Sequence, residues 1–308
     1  MITNVPSAND LNKSALTAFF AAWHPLIQLF DDFNQSFGLE DPTYAEELED
    51  YYKHCQAELE TIYALAAQAS ELAMKARICE VSPFLLLLGN GASFGETASN
   101  IDFSELRTID AVDLPNAVNA ICPIKVSESF KQRFTEIRKL RNKITHLGGA
   151  GKDSAPRDVM RLLVEQYAEL WPDSYFLNNW IDYIDSRRFS FFHDGKWTSA
   201  EMEFADIQET CFSLLSKGEF KKLIGFPKAQ RRYICQNCVY LGGLHRNDMG
   251  FGDLTTAFLL DDNTLQCQLC TITSKIERKA CSQEDCKGNV ISIEEPFPGQ
   301  CHTCGMDQ

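Results

Sequence analysis

Two sets of residues in this chain have the types and spacing to do chemistry. The first is a run of eight cysteines arranged as Cys235-x-x-Cys238, Cys267-x-x-Cys270, Cys281-x4-Cys286 and Cys301-x-x-Cys304. Two thiolates separated by two residues on a tight turn can point at one ion, and two such turns complete a tetrahedral site. The second set is Arg141, Asn142 and His146 in the stretch RKLRNKITHLGG. Histidine, with an ordinary pKa of about 6.5, takes or gives a proton near neutral pH. A guanidinium offers a charged donor fork that matches phosphate geometry. The Asn142 carboxamide can orient the imidazole or bind a phosphate oxygen.

The cysteine spacing predicts two structural Zn²⁺ ions. The simplest grouping places one on Cys235, Cys238, Cys267 and Cys270 and the other on Cys281, Cys286, Cys301 and Cys304, and a cross-braced grouping uses the same residues. Four cysteines fill each site, so neither ion has an open position for catalysis. Free thiols, redox pairs and an iron–sulfur cluster are the other chemistries open to such spacing. His245 and His302 are then expected to be spare surface side chains.

On a helix Asn142 and His146 share a face, whereas Arg141 and His146 are five residues apart and diverge by roughly 140°. The apolar positions Phe130, Phe134, Ile137, Leu140, Ile144 and Leu147 form a regular stripe. Arg141 falls near its middle and His146 almost opposite. A charge among core positions is costly unless it is paired or reaches an interface. The plainer reading is a last helical turn whose cationic residues complement the helix dipole before a Gly148-Gly149 stop.

The elements that must position these residues are helical first. Residues 14–37 and 42–79 read as two long amphipathic helices, with Pro25 a kink or break in the first and Asp41-Pro42 the start of the second. A loop and short helices follow, then a helix from about Ser127 to Leu147 and another from about Pro156 to Tyr183, interrupted at Pro172. FSFFHDGKWTS suggests a small hairpin, and residues 199–226 one helix. Beyond Tyr233, LTTAFLLDDNTLQC reads as two strands around an Asp-Asp-Asn turn, and NVISIEEPFPGQCHTCG as a strand entering a cysteine turn. The expected fold is mainly α, with a helical bundle over residues 1–190, a connector over 191–232 and two small β-rich zinc-ribbon modules over 233–308.

LRNKITH resembles the Arg-x4-6-His motif of the HEPN superfamily (higher eukaryotes and prokaryotes nucleotide-binding), in which a polar residue commonly follows the arginine. LAAQASELAMKARI resembles that family's helix bearing Ala, Glu and Lys, and FSELRTIDAVDLPNAVNAI the segment before the motif helix. The resemblance covers roughly residues 40–185. It implies an all-α bundle that forms a homodimer with the two motif helices facing one another, so that Arg141 of one chain can complete the site of the other. It also implies a metal-independent endoribonuclease with RNA, tRNA among it, as substrate. Arg141, Asn142 and His146 would be catalytic, and Arg138, Lys139 and Lys143 would hold the RNA backbone. Such nucleases commonly serve as toxins or in antiviral defence, restrained by a regulatory or antitoxin protein. A non-catalytic HEPN dimer acting as a zinc-ribbon adaptor for RNA or protein is the alternative. The glycines of LLLLGNGASFG superficially resemble a nucleotide loop, but no helical period follows them.

A formal charge of -14 argues against a general nucleic-acid coat or a membrane-surface binder. The basic residues are nonetheless gathered. Residues 125–143 carry seven Lys and Arg against two Glu, while the first fifty residues carry one Lys and nine acidic side chains. Neither a secretory signal nor a membrane-length apolar run is evident, so a soluble cytoplasmic protein is expected. In that compartment twelve cysteines need an explanation other than disulfides.

Overall fold

The structure, a computed structural model, describes residues 1–87, 100–147, 154–187, 199–243 and 254–308. The chain divides into two compact units, Met1–Pro172 and Asp173–Gln308. Among the described residues no helix is long and apolar enough to cross a membrane.

The first unit is built on α1 (Ala8–Phe37) and α3 (Gln56–Val81). Ser7 caps α1 by accepting from the Asp10 amide at 3.0 Å. The helix runs unbroken through Pro25. Proline removes one donor, and the burial of Phe19, Phe20, Trp23, Leu26, Ile27 and Phe30 on both sides of it outweighs that loss. Small residues on α3, Ala66, Ala69, Ser70, Ala73 and Ala76, are buried and let the two helices approach closely.

The expected single helix from Pro42 instead has three parts. A 3₁₀ turn, Pro42–Tyr44, is capped by Asp41, and α2 (Ala45–His54) ends at Cys55 before α3 begins. No residue of α2 is fully buried, but Tyr51 and Tyr52 lean on Phe33 and Phe30 of α1, and the Tyr51 hydroxyl donates to Leu29 O at 3.0 Å. A second 3₁₀ turn, Pro83–Leu87, stands where a nucleotide loop would need a strand, and the glycines after it lie outside the described residues. Met1–Asn4 contributes β1 (Ile2–Thr3), which pairs in parallel with β2 (Ile101–Asp102).

After α4 (Leu114–Ile121) come α5 (Glu128–Leu147) and α6 (Pro156–Leu170). Tyr167 and Trp171 enclose Phe19, with ring centroids 5.2 and 5.6 Å away. The Arg77 guanidinium donates to the carbonyls of Glu169 and Leu170 at 2.7 Å each, pairing carbonyls that the end of α6 leaves free. Gln166 donates to Ala66 O at 2.9 Å inside the core. The start of α5 is fastened by Ser127, whose amide and hydroxyl both bond the Glu169 carboxylate, and by an Arg133–Glu165 ion pair at 3.6 Å.

The second unit combines helices with a small sheet. The break at Pro172 leaves α7 (Phe176–Ser186) with this unit rather than with the bundle expected to reach residue 190. The stretch expected as one helix is two, α8 (Ala200–Leu214) and α9 (Lys217–Ile224), because Ser216 and Glu219 form a capping box that starts a new helix. These helices are not a loose connector. Phe220 and Phe226 pack on Phe258 of the sheet, Phe226 stacking at 4.4 Å, and Asn178 of α7 donates to Leu269 O at 2.9 Å. The hairpin expected at residues 189–199 lies almost wholly outside the described residues.

The sheet contains β3 (Ala257–Leu259), β4 (Thr264–Cys267), β5 (Thr273–Glu277) and β6 (Ile291–Ser292), all antiparallel and paired in that order. β3 and β4 flank the expected Asp-Asp-Asn turn. Both outer edges continue. Tyr233 exchanges two bonds with Ala257 at 2.9 and 3.0 Å, on the far side of β3. Gln300 O accepts from Ser292, and His302 N donates to Val290 O, on the far side of β6. Ile234 N then donates to His302 O at 2.9 Å, so the hydrogen-bonded strands return on themselves. One backbone bond thus links the residues that flank the two outer strands.

Candidate functional site

Helix α5 carries the first candidate. Its stripe is core only at Phe130, Phe134 and Ile137, which are 2–3% exposed. Leu140 and Ile144 are half-buried and Leu147 is 79% exposed. The periodicity placed Arg141 among core positions, but the last turns of α5 extend past the packing of the unit. Arg141, Asn142 and His146 are therefore all exposed. Arg141 Nη1 donates to Asn142 Oδ1 at 3.3 Å. Arg138 is half-buried, and Lys139 and Lys143 are exposed. Lys131 and Arg133 are taken up by Glu128 and Glu165. Gly148 and Gly149, the expected stop, lie outside the described residues.

The cysteines form the second candidate, and the structure brings together all eight. Cys235, Cys238, Cys267 and Cys270 make one group and Cys281, Cys286, Cys301 and Cys304 the other, with the sulfurs of each group within 4.8 Å of one another. The grouping is thus sequential and not cross-braced. Neighbouring sulfurs stand 3.6 Å (Cys235–Cys270), 3.7 Å (Cys238–Cys267), 3.7 Å (Cys281–Cys304) and 3.9 Å (Cys286–Cys301) apart. Four sulfurs at about 2.3 Å from one tetrahedral ion are about 3.8 Å from each other, so each group fits a single ion.

The turns themselves favour thiolates. The amides of Leu269 and Gly288 donate to Cys267 Sγ and Cys286 Sγ at 3.3 Å, and that of Thr303 to Cys301 Sγ at 3.4 Å. Hydrogen bonding to Cys235 and its crowded neighbours pushes the Cys238 thiol well above its ordinary value, while the same contacts hold Cys270 far below. Four sulfurs packed this tightly share protons until a cation replaces them. Three ligands of the first group, Cys235, Cys238 and Cys267, are buried, whereas Cys281, Cys286 and Cys304 of the second are half-exposed.

Sequence reasoning missed three supporting residues. His302, expected on the surface, is 2% exposed. Its Nδ1 stands 2.8 Å from Ile234 O, which can only accept, so Nδ1 carries the proton. Burial holds its pKa below the ordinary value and the ring neutral. Gln236 is also buried and donates from Nε2 to Cys301 O at 3.1 Å. Gly288 sits where a β-carbon would collide with Thr303 and Cys301. Its place two residues after Cys286 was a readable turn signal; nothing in the sequence singled out the other two. His245 lies outside the described residues.

No protein-family model, curated protein or solved structure matches this chain.

Proposed function

We propose that the first unit is a metal-independent endoribonuclease of HEPN type that works as a homodimer, and that the eight cysteines hold two structural Zn²⁺ ions. The observation that carries the nuclease reading is the extension of α5 beyond Ile137, which holds Arg141, Asn142 and His146 in solvent where an RNA strand can reach them. Arg138, Lys139 and Lys143 on the same turns supply positive charge for the backbone.

The chemistry proceeds within the RNA itself. His146 takes the proton of a 2′-hydroxyl, whose oxygen attacks the adjacent phosphorus. The bond from phosphorus to the 5′-oxygen breaks, and that oxygen takes a proton from the protonated histidine. Arg141 stabilises the charge that builds on the phosphoryl oxygens. The products are a 2′,3′-cyclic phosphate and a 5′-hydroxyl.

Exposed Leu147 and half-buried Leu140 and Ile144 support the dimer, because a second copy laid against them would cover an apolar face that the single chain leaves open. A seam there carries Arg141 with it, whereas His146 stands almost opposite on α5. A role as a toxin or defence effector, restrained by a protein partner, follows from the resemblance alone. The divergence of Arg141 and His146 around α5 favours a second reading, a zinc-bearing adaptor without catalysis, if the chain stays monomeric.

The test is cleavage of total RNA and tRNA in magnesium-free buffer with EDTA, beside His146→Ala, with product ends mapped and bound zinc measured afterwards. Cyclic phosphate ends that vanish in the variant establish the nuclease. RNA binding without cleavage by either protein leaves the adaptor.

A further inference from the structure

We propose that the two metal sites are one linked unit, in which loss of the ion from the more exposed group opens the ring of strands and loosens the other. The inference rests on the metal reading above. Its physical basis is the seam where the ring closes.

Ile234 and His302 face each other across that seam, and each is a chain neighbour of a ligand from a different site, Cys235 for the first and Cys301 for the second. Three hydrogen bonds cross it: Ile234 N to His302 O at 2.9 Å, His302 Nδ1 to Ile234 O at 2.8 Å and Gln236 Nε2 to Cys301 O at 3.1 Å. Ile234, Gln236, Cys301 and His302 are all buried. No water competes for these bonds, and opening them would strand polar groups in the interior.

The two sides of the seam are held differently. The Cys235 side is fixed by the pairing of Tyr233 with Ala257 of β3, by α10 (Gln236–Gly243) and by a first metal group whose other turn, residues 267–270, starts at the end of β4. Residues 300–304 have turns and isolated bridges but no helix or extended strand of their own. Their main tether to residues 281–288 is the metal shared by Cys281, Cys286, Cys301 and Cys304. With that ion gone, the Cys301–Cys304 turn keeps its backbone bonds to Ser292 and Val290 but loses its tie to residues 281–288, and the seam at His302 loosens.

Coupling of binding free energies is reciprocal, but the order of release need not be. A chelator reaches the half-exposed sulfurs of the second group first. Release there should therefore precede, and speed, release from the buried group.

The experiment uses the whole zinc-loaded chain. Native mass spectrometry counts bound ions, a chromogenic chelator follows their release, and thiol alkylation mapped by peptide mass assigns each phase to its cysteines. The expected result for the unmodified protein is two ions, with Cys281, Cys286 and Cys304 labelled before Cys235 and Cys238. Cys304→Ser should speed release from the first site about tenfold, the ratio corresponding to loss of one buried hydrogen bond. Gln236→Leu keeps all eight thiols and should also speed the slow phase. A slow phase unchanged in both variants would overturn the linkage while leaving both metal sites standing. A chain that carries fewer than two ions would overturn the metal reading and the linkage together.

Discussion

A β-carbon placed on Gly288 would stand 2.8 Å from Cys301 Sγ and 2.7 Å from both Thr303 Cβ and Thr303 Oγ1. Only glycine allows the Cys286 turn to close over the Cys301 turn. Gly288→Ala should therefore prevent the second group from holding its ion while leaving the backbone of the first unit unaltered. Native mass spectrometry should show one ion fewer than in the unmodified chain; an unchanged count refutes the requirement.

Arg77 gives a second expectation, in stability. Its guanidinium serves two carbonyls at the end of α6 from a half-buried position on α3. Arg77→Met keeps most of the apolar stem and removes the donors, stranding those carbonyls at a cost of about 1–3 kcal/mol. Urea unfolding of the first unit, followed by helical circular dichroism, should show a lower midpoint with an unchanged slope.

The nuclease reading makes two distinct demands on α5. His146→Ala should lower cleavage about 10²–10⁴-fold, the range for loss of a general acid or base. Arg141→Lys keeps the charge and loses the fork, so it should also lose most activity. Because both residues are exposed, neither change should move the thermal midpoint appreciably. A large drop in stability would mean that the helix end is structural.

If Arg138, Lys139 and Lys143 meet RNA phosphates, changing all three to glutamine should weaken binding uniformly across sequences. The salt dependence should become shallower by about 0.7 per lost contact on single strands. Filter binding over a salt series reads both quantities. An unaltered slope would make these residues ordinary solvated charge.

Acid should empty the metal sites. Each ligand must shed a proton to bind, so protons and the ion compete for the same sulfurs. As the pH falls, protons displace the ion, so metal affinity decreases toward low pH and recovers on neutralisation. The chelator-accessible zinc measured across a pH series should rise monotonically with acidity.

Local features of this protein are written in its residue order. Helical periods, caps and turn signals depend on residues a few positions apart, which is why α5, α6, β3 and β4 and the two cysteine quartets are legible in the amino-acid sequence. The ordering of the quartets, the depth of their burial and the end of the buried stripe at Ile137 depend on partners distant in the chain. It took tertiary packing to carry α5 past its core, to join α7, α8 and α9 to the cysteine-bearing sheet, and to bury His302, expected in solvent, against Ile234. The physical reason is the same in each case: periodicity tells which face of an element is apolar, but only packing tells how far along it the neighbours reach.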